Sequence, residues 1–150
     1  MDGRMNKDKF NKSIKSMLEK KSFINYKEIY YKEVNDVYFV LELQKSFYSN
    51  SYYLNYRMFV KEIHSKEDIF KLTIGDLSGR VLCKENGQNI DLIELDNWDD
   101  DYLIVIEKEI DSLIGTLESG GIRKYLNFNP TAIHKVPSWA SAYFKEIIKE

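Results

Sequence analysis

The chain has 150 residues, 43% hydrophobic and 31% charged, a balance that fits one folded domain and excludes a disordered or fibrous chain. Two prolines and seven glycines exclude a collagen-like repeat, and a net charge of −2 argues against a nucleic-acid partner. The longest apolar runs, Val37 to Leu41 and Tyr102 to Ile106, fall far short of the ~18 residues a spanning helix needs, so no membrane role is expected.

Phe10, Ile14, Met17 and Leu18 recur at helical spacing with lysines between them, which predicts an amphipathic helix over about residues 6–21. The stretch from Tyr26 to Lys32 reads as a strand. The period then shortens to two: Val37, Phe39, Leu41 and Leu43 alternate with Tyr38, Val40, Glu42 and Gln44. Leu54, Tyr56, Met58 and Val60 alternate with Asn55, Arg57, Phe59 and Lys61 in the same way. Asn35–Asp36 and the Tyr48–Ser51 stretch carry turn chemistry. Residues 64–95 predict only one or two short strands, with Asn86–Gly87 as a hairpin signal.

Leu103, Ile106, Ile110, Leu113 and Leu117 then form the inward stripe of a helix from Asp100 to Ser119. Asp99, Asp100 and Asp101 sit at its start, where the helix dipole favours negative charge, and Gly120–Gly121 supplies a stop. Pro137 fits the first turn of a last helix with Trp139, Tyr143 and Ile147 on its packed face. The expected fold is a single α+β domain over residues 1–150. It is an antiparallel meander of three or four strands with amphipathic helices on one face.

Cys83 is the sole cysteine, so no intramolecular disulfide forms and a cytoplasmic home is expected. The first nine residues lack the apolar core of a signal peptide, which supports the same expectation. Cys83 itself, between Leu82 and Lys84, reads as a small core residue rather than a nucleophile. His64 and His134 stand outside any recognisable triad and read as surface or hydrogen-bonded residues. Asp99 to Asp101 are hard-ligand types, yet a helix start explains them without a metal. No phosphate loop, dinucleotide fingerprint or nucleophile elbow occurs, so no cofactor is expected and an enzymatic role is disfavoured.

Charge is unevenly spread. Residues 1–33 hold nine basic against five acidic side chains, while residues 91–119 hold ten acidic against Lys108 alone. The second stretch is either an acidic face for a basic partner or the solvated side of an amphipathic helix. A sharper candidate is the outward face of the second hairpin. If Leu41 opposes Tyr56, then Gln44 opposes Tyr53, Glu42 opposes Asn55 and Val40 opposes Arg57, with Lys45 and Ser46 at the end of the patch. Amide, carboxylate, guanidinium and phenol side by side make the mixture enriched at interfaces. Cross-strand pairing on a solvated face accounts for the same residues without a partner.

Leu43-Gln44-Lys45-Ser46 followed by Tyr52-Tyr53-Leu54-Asn55 resembles the signature hairpin of a bacterial family, domain of unknown function 4304. The resemblance extends to Gly79–Arg80 and to Trp98 before the acidic helix, and runs from the first helix to about residue 118. It adds Arg80 to the candidate binding residues and implies no reaction. A large excess of lysine over arginine (18 against 4) fits an AT-rich bacterial genome. The leading expectation is a non-catalytic module that binds another protein. Toxin neutralisation of the immunity type is one form, by analogy with small bacterial domains. The alternative is a small-ligand binder or enzyme with a polar pocket at the second hairpin. Shape separates the two, because a small molecule needs a deep pocket.

Overall fold

Period-two alternation between residues 24 and 60 builds the frame of the molecule. In the computed structural model, which describes residues 5–85 and 87–149, four antiparallel strands follow one another. They are β1 (Ile24–Tyr26), β2 (Ile29–Val34), β3 (Val37–Lys45) and β4 (Ser51–Val60). The expected single strand from Tyr26 to Lys32 is therefore two strands joined by a tight turn. Lys27 takes a φ of 54° there, and the Asn25 amide ties the turn by donating to the carbonyls of Lys27 and Ile29 at 3.1 and 2.9 Å. Asn35, at φ 51°, turns β2 into β3, a conformation asparagine tolerates better than most residues.

The middle of the chain adds strands too short for periodicity to reveal. These are β5 (Leu77–Arg80), β6 (Cys83–Glu85), β7 (Gln88–Ile90) and β8 (Leu92–Glu94). β5 and β8 both pair with β4, so the sheet has six strands, in the order β1-β2-β3-β4-β5 with β8 beside the start of β4. That is more than the three or four expected. β6 and β7 form a separate ribbon. Gly87 lies in its turn, while Asn86 of the expected Asn86–Gly87 signal lies outside the described residues.

Helices cover the face formed by Val37, Phe39, Leu41, Leu54, Tyr56, Met58 and Val60, all buried. Helix α1 (Lys7–Lys20) begins at Asn6, whose Oδ1 accepts the Asp8 N–H at 2.7 Å, and it buries Phe10, Ile14, Met17 and Leu18. Helix α2 (Asp68–Lys71) is a single turn on the opposite face. There Ile69 closes a second, small core with Tyr31, Val40 and Phe59. The expectation of helices on one face alone is corrected accordingly: β2, β3 and β4 each present an apolar residue outward, and α2 buries that patch.

Helix α3 (Asp101–Phe128) packs Ile106, Ile110 and Leu117 inward, with Leu103 and Leu113 half-buried at the edges of the stripe. Gly120–Gly121 ends its first stretch, as expected. Gly121, at φ 65° and ψ −159°, kinks the chain, and the helix resumes because the Asp36 carboxylate accepts the Ile122 N–H at 3.0 Å. Gly115 sits mid-helix with open space where a Cβ would go. Gly115→Ala is therefore expected to stabilise the fold by about 0.5–1 kcal/mol, read as a higher urea midpoint with unchanged slope. Helix α4 (Ser138–Lys149) follows Pro137 and buries Ala140 and Phe144. Trp139, expected on its packed face, is half-exposed, with its indole N–H drawn away toward Asp76. Among the described residues, no helix is long and apolar enough to cross a membrane.

Candidate functional site

Strand alternation sends Glu42 and Gln44 of β3, and Tyr53, Asn55 and Arg57 of β4, to the face opposite the main helices. The register is the expected one: Leu41 lies across from Tyr56, Gln44 from Tyr53, Glu42 from Asn55, and Val40 from Arg57. β5 then lays Arg80 beside Asn55. The side chains join in a chain of contacts. The Asn55 amide donates to Gln44 Oε1 at 2.8 Å, Arg80 Nε donates to Asn55 Oδ1 at 3.3 Å, and Arg80 Nη1 reaches Asp91 at 3.0 Å. The Arg80 guanidinium also stacks on the Tyr53 ring, 3.8 Å from its centroid. Arg57 Nη1 donates to Glu42 Oε1 at 2.8 Å, while its buried Nε–H has no acceptor. An unpaired donor of that kind costs about 1–3 kcal/mol.

Two shallow hollows meet on this face. One, of about 570 Å³, is lined by Glu42, Asn55, Arg57, Ser78 and Arg80 with Thr73 and Ile74 as a wall. The other, of about 260 Å³, shares Glu42, Arg57 and Thr73 and runs toward Tyr26 and Phe70. Together they form an open groove across the sheet rather than an enclosed pocket. The structure thus brings together Gln44, Tyr53, Asn55, Arg57 and Arg80. Lys45 and Ser46 do not join them. Lys45 alternates to the other side, where Nζ donates to the Ser49 carbonyl at 2.6 Å and lies over the Tyr52 ring. Ser46 is buried in the hairpin turn, its Oγ accepting the Tyr48 N–H at 3.2 Å.

Gly79 has a packing reason: a Cβ there would lie 2.5 Å from the Tyr56 ring, whose hydroxyl is hydrogen-bonded to that of Tyr125 at 2.7 Å. Burial raises the pKa of both phenols, so the pair stays protonated.

A buried polar cluster escaped the sequence reading. His64 Nδ1 meets Asp68 at 2.8 Å and Nε2 meets Asp76 at 2.7 Å. Asp76, 1% exposed, also accepts the Val60 N–H at 2.8 Å and the Trp139 indole N–H at 2.7 Å. Burial pulls the imidazole pKa down, but the hydrogen bonds and charges of Asp76 and Asp68 outweigh it and the net shift is upward. The four-residue spacing of His64 and Asp68 is the available signal, with His64 in the loop before α2; Asp76 meets them only through the fold.

The acidic stretch is mostly structural. Asp99 Oδ1 accepts the Asp101 N–H at 2.9 Å at the helix start, and Asp100 accepts the Trp98 indole at 3.3 Å. Glu107 and Asp111 clasp Lys21 at 3.1 and 2.7 Å, joining α3 to the end of α1. Cys83 is buried beside a mainly apolar cavity of about 140 Å³ lined by Ile90, Leu92, Ile93, Glu94, Tyr102 and Ile106. Among the described residues, no three histidine, cysteine or carboxylate side chains stand as a metal site. Comparison with known proteins gave no match, neither to a family model, nor to a curated protein, nor to a solved structure.

Proposed function

We propose that the chain is a non-catalytic protein-interaction module whose recognition face is the outer side of the β3–β4 hairpin together with β5. The observation that carries this reading is the shared surface of Gln44, Tyr53, Asn55, Arg57 and Arg80, held in place by their own contacts along an open groove. An open groove rich in donors, acceptors and rings fits a protein partner, and side chains already fixed lose little freedom on binding. A small-molecule site needs a concave pocket with converging polar groups. The cavity at Cys83 is mainly apolar, with Glu94 as its one charged wall residue, and lined by none of these residues. The resemblance to domain of unknown function 4304 falls on the same hairpin and on Gly79–Arg80, and supports the choice of this part of the sheet. We assign the protein to a bacterial cytoplasm on its lysine bias and single cysteine. Neutralisation of a toxin protein is one form the recognition would take.

The test begins with a partner captured from source cells and purified. Tyr53→Ala and Arg80→Ala should each speed its dissociation by roughly 10–30-fold, equivalent to about 1.4–2 kcal/mol, with association nearly unchanged. Circular dichroism and melting matching the wild type establish that both variants are folded. Unaltered dissociation in both folded variants removes this face from consideration.

A further inference from the structure

Beyond the polar face, the tip of the same hairpin carries two adjacent aromatic side chains almost wholly in water, Phe47 at 94% and Tyr48 at 96% exposure. Single exposed apolar residues are ordinary, but a contiguous pair at the tip of a hairpin is not. The turn that bears them is firmly built. Ser46 N–H donates to the Ser51 carbonyl at 3.0 Å, Lys45 Nζ to the Ser49 carbonyl at 2.6 Å, and the Ser49 and Ser51 hydroxyls are hydrogen-bonded to each other. Asn50 ties the tip to the body: its carbonyl accepts the Leu95 N–H at 2.9 Å, and its amide donates to Asp96 at 3.1 Å. A turn whose polar residues are tied by hydrogen bonds while its two aromatic rings stand free in water is pre-organised to insert those rings.

The surroundings of the tip are acidic. Glu94 lies across from Ser51 and Asp96 holds Asn50, two carboxylates against the one positive charge of Lys45, whose ammonium group is drawn onto the Ser46 and Ser49 carbonyls. Negative charge beside an aromatic wedge disfavours an anionic lipid surface and complements a positively charged protein rim.

We infer that Phe47 and Tyr48 are the anchor by which the protein seats itself in an apolar cleft, rimmed by Lys or Arg, on its protein partner. This rests on the interaction reading above and gives that partner a chemistry. Glu94 and Asp96 steer the encounter, and the two rings hold the complex once formed.

The probe is a photoreactive benzoylphenylalanine in place of Phe47, with the same group in place of the exposed Ile104 of α3 as control. Irradiation in source cells should join residue 47, and not residue 104, to a second protein. With that protein purified, Phe47→Ser/Tyr48→Ser should weaken binding at least about thirtyfold through faster dissociation. Glu94→Gln/Asp96→Asn should slow association at low salt and change little at high salt. Cross-linking at residue 47 only to lipid or to another copy of the chain overturns the inference. So does co-sedimentation of the wild type, but not the tip variant, with vesicles of mixed phosphatidylcholine and phosphatidylglycerol. Absence of any protein adduct at residue 47, or wild-type affinity in the tip variant, also overturns it. If the tip variant binds normally while Tyr53→Ala and Arg80→Ala do not, the anchor falls and the recognition face stands. The reverse pattern removes the face and keeps the anchor.

Discussion

Asp76→Ala is expected to cost about 3–5 kcal/mol, a large share of the 5–15 kcal/mol by which a domain is normally stable. The Asp76 side chain is fully shielded from solvent and serves three donors from three parts of the chain: the Val60 N–H of β4, the imidazole of His64 and the indole of Trp139 in α4. Removing it strands all three. Asp76→Asn retains the shape but turns an N–H₂ group toward donors, so it should recover little. The urea midpoint should fall with an unchanged slope in both variants. A near-neutral Asp76→Ala would mean that water replaces the carboxylate, and that the cluster does not join β4 to α4.

The same cluster sets a pH dependence. Both His64 nitrogens face carboxylates, which both can satisfy only when the ring is an imidazolium, and its pKa is raised in the folded state. A raised value means this stabilisation is complete below the unfolded pKa of about 6.5 and fades as pH climbs through the folded pKa. The Asp68 pKa is lowered, chiefly by its hydrogen bond to His64, so its contribution holds above the ordinary carboxylate range and is lost as pH falls through the lowered value. Wild-type stability relative to His64→Gln should therefore be greatest in mildly acidic buffer and narrow toward alkaline pH. A difference that widens on going alkaline contradicts the assigned charge state.

The hairpin was legible because β3 and β4 are nine and ten residues long, enough for alternation to fix both register and outward face. Alternation alone therefore puts Gln44, Tyr53, Asn55 and Arg57 on one face. β5 to β8, at three or four residues each, carry no period to read. The same alternation that directs Gln44 outward directs Lys45 away from it, so the expectation that Lys45 and Ser46 share the patch fails. The Asp76 cluster depends on contacts between segments far apart in sequence. Phe47 and Tyr48 lay hidden for another reason: hydrophobicity argues for burial, and only the fold reveals an apolar residue left outside.

Gly121→Ala carries the second large effect, opposite in sign to Gly115→Ala within the same helix. At φ 65° and ψ −159° Gly121 occupies a region essentially reserved for glycine, where another residue costs about 1–3 kcal/mol. A Cβ there would also lie 2.8 Å from Asp36 Oδ2, displacing the carboxylate that receives the Ile122 N–H. Losing that cap adds roughly 0.5–2 kcal/mol, so the total should reach about 1.5–5 kcal/mol. Asp36→Ala alone removes only the cap. Combining the two should therefore cost less than their sum, since both act on one contact. The consequence reaches the recognition face. The segment after the kink buries Ile122, Tyr125 and Leu126, and the Tyr125 hydroxyl holds that of Tyr56 at 2.7 Å, beneath Gly79 and next to Arg80. Hydrogen exchange in Gly121→Ala should accordingly rise first in residues 122–128 and then along β5, before the rest of the sheet. Uniform exchange, or a Gly121→Ala protein as stable as the wild type, would show that the helix runs straight through this point and that Arg80 is positioned without it.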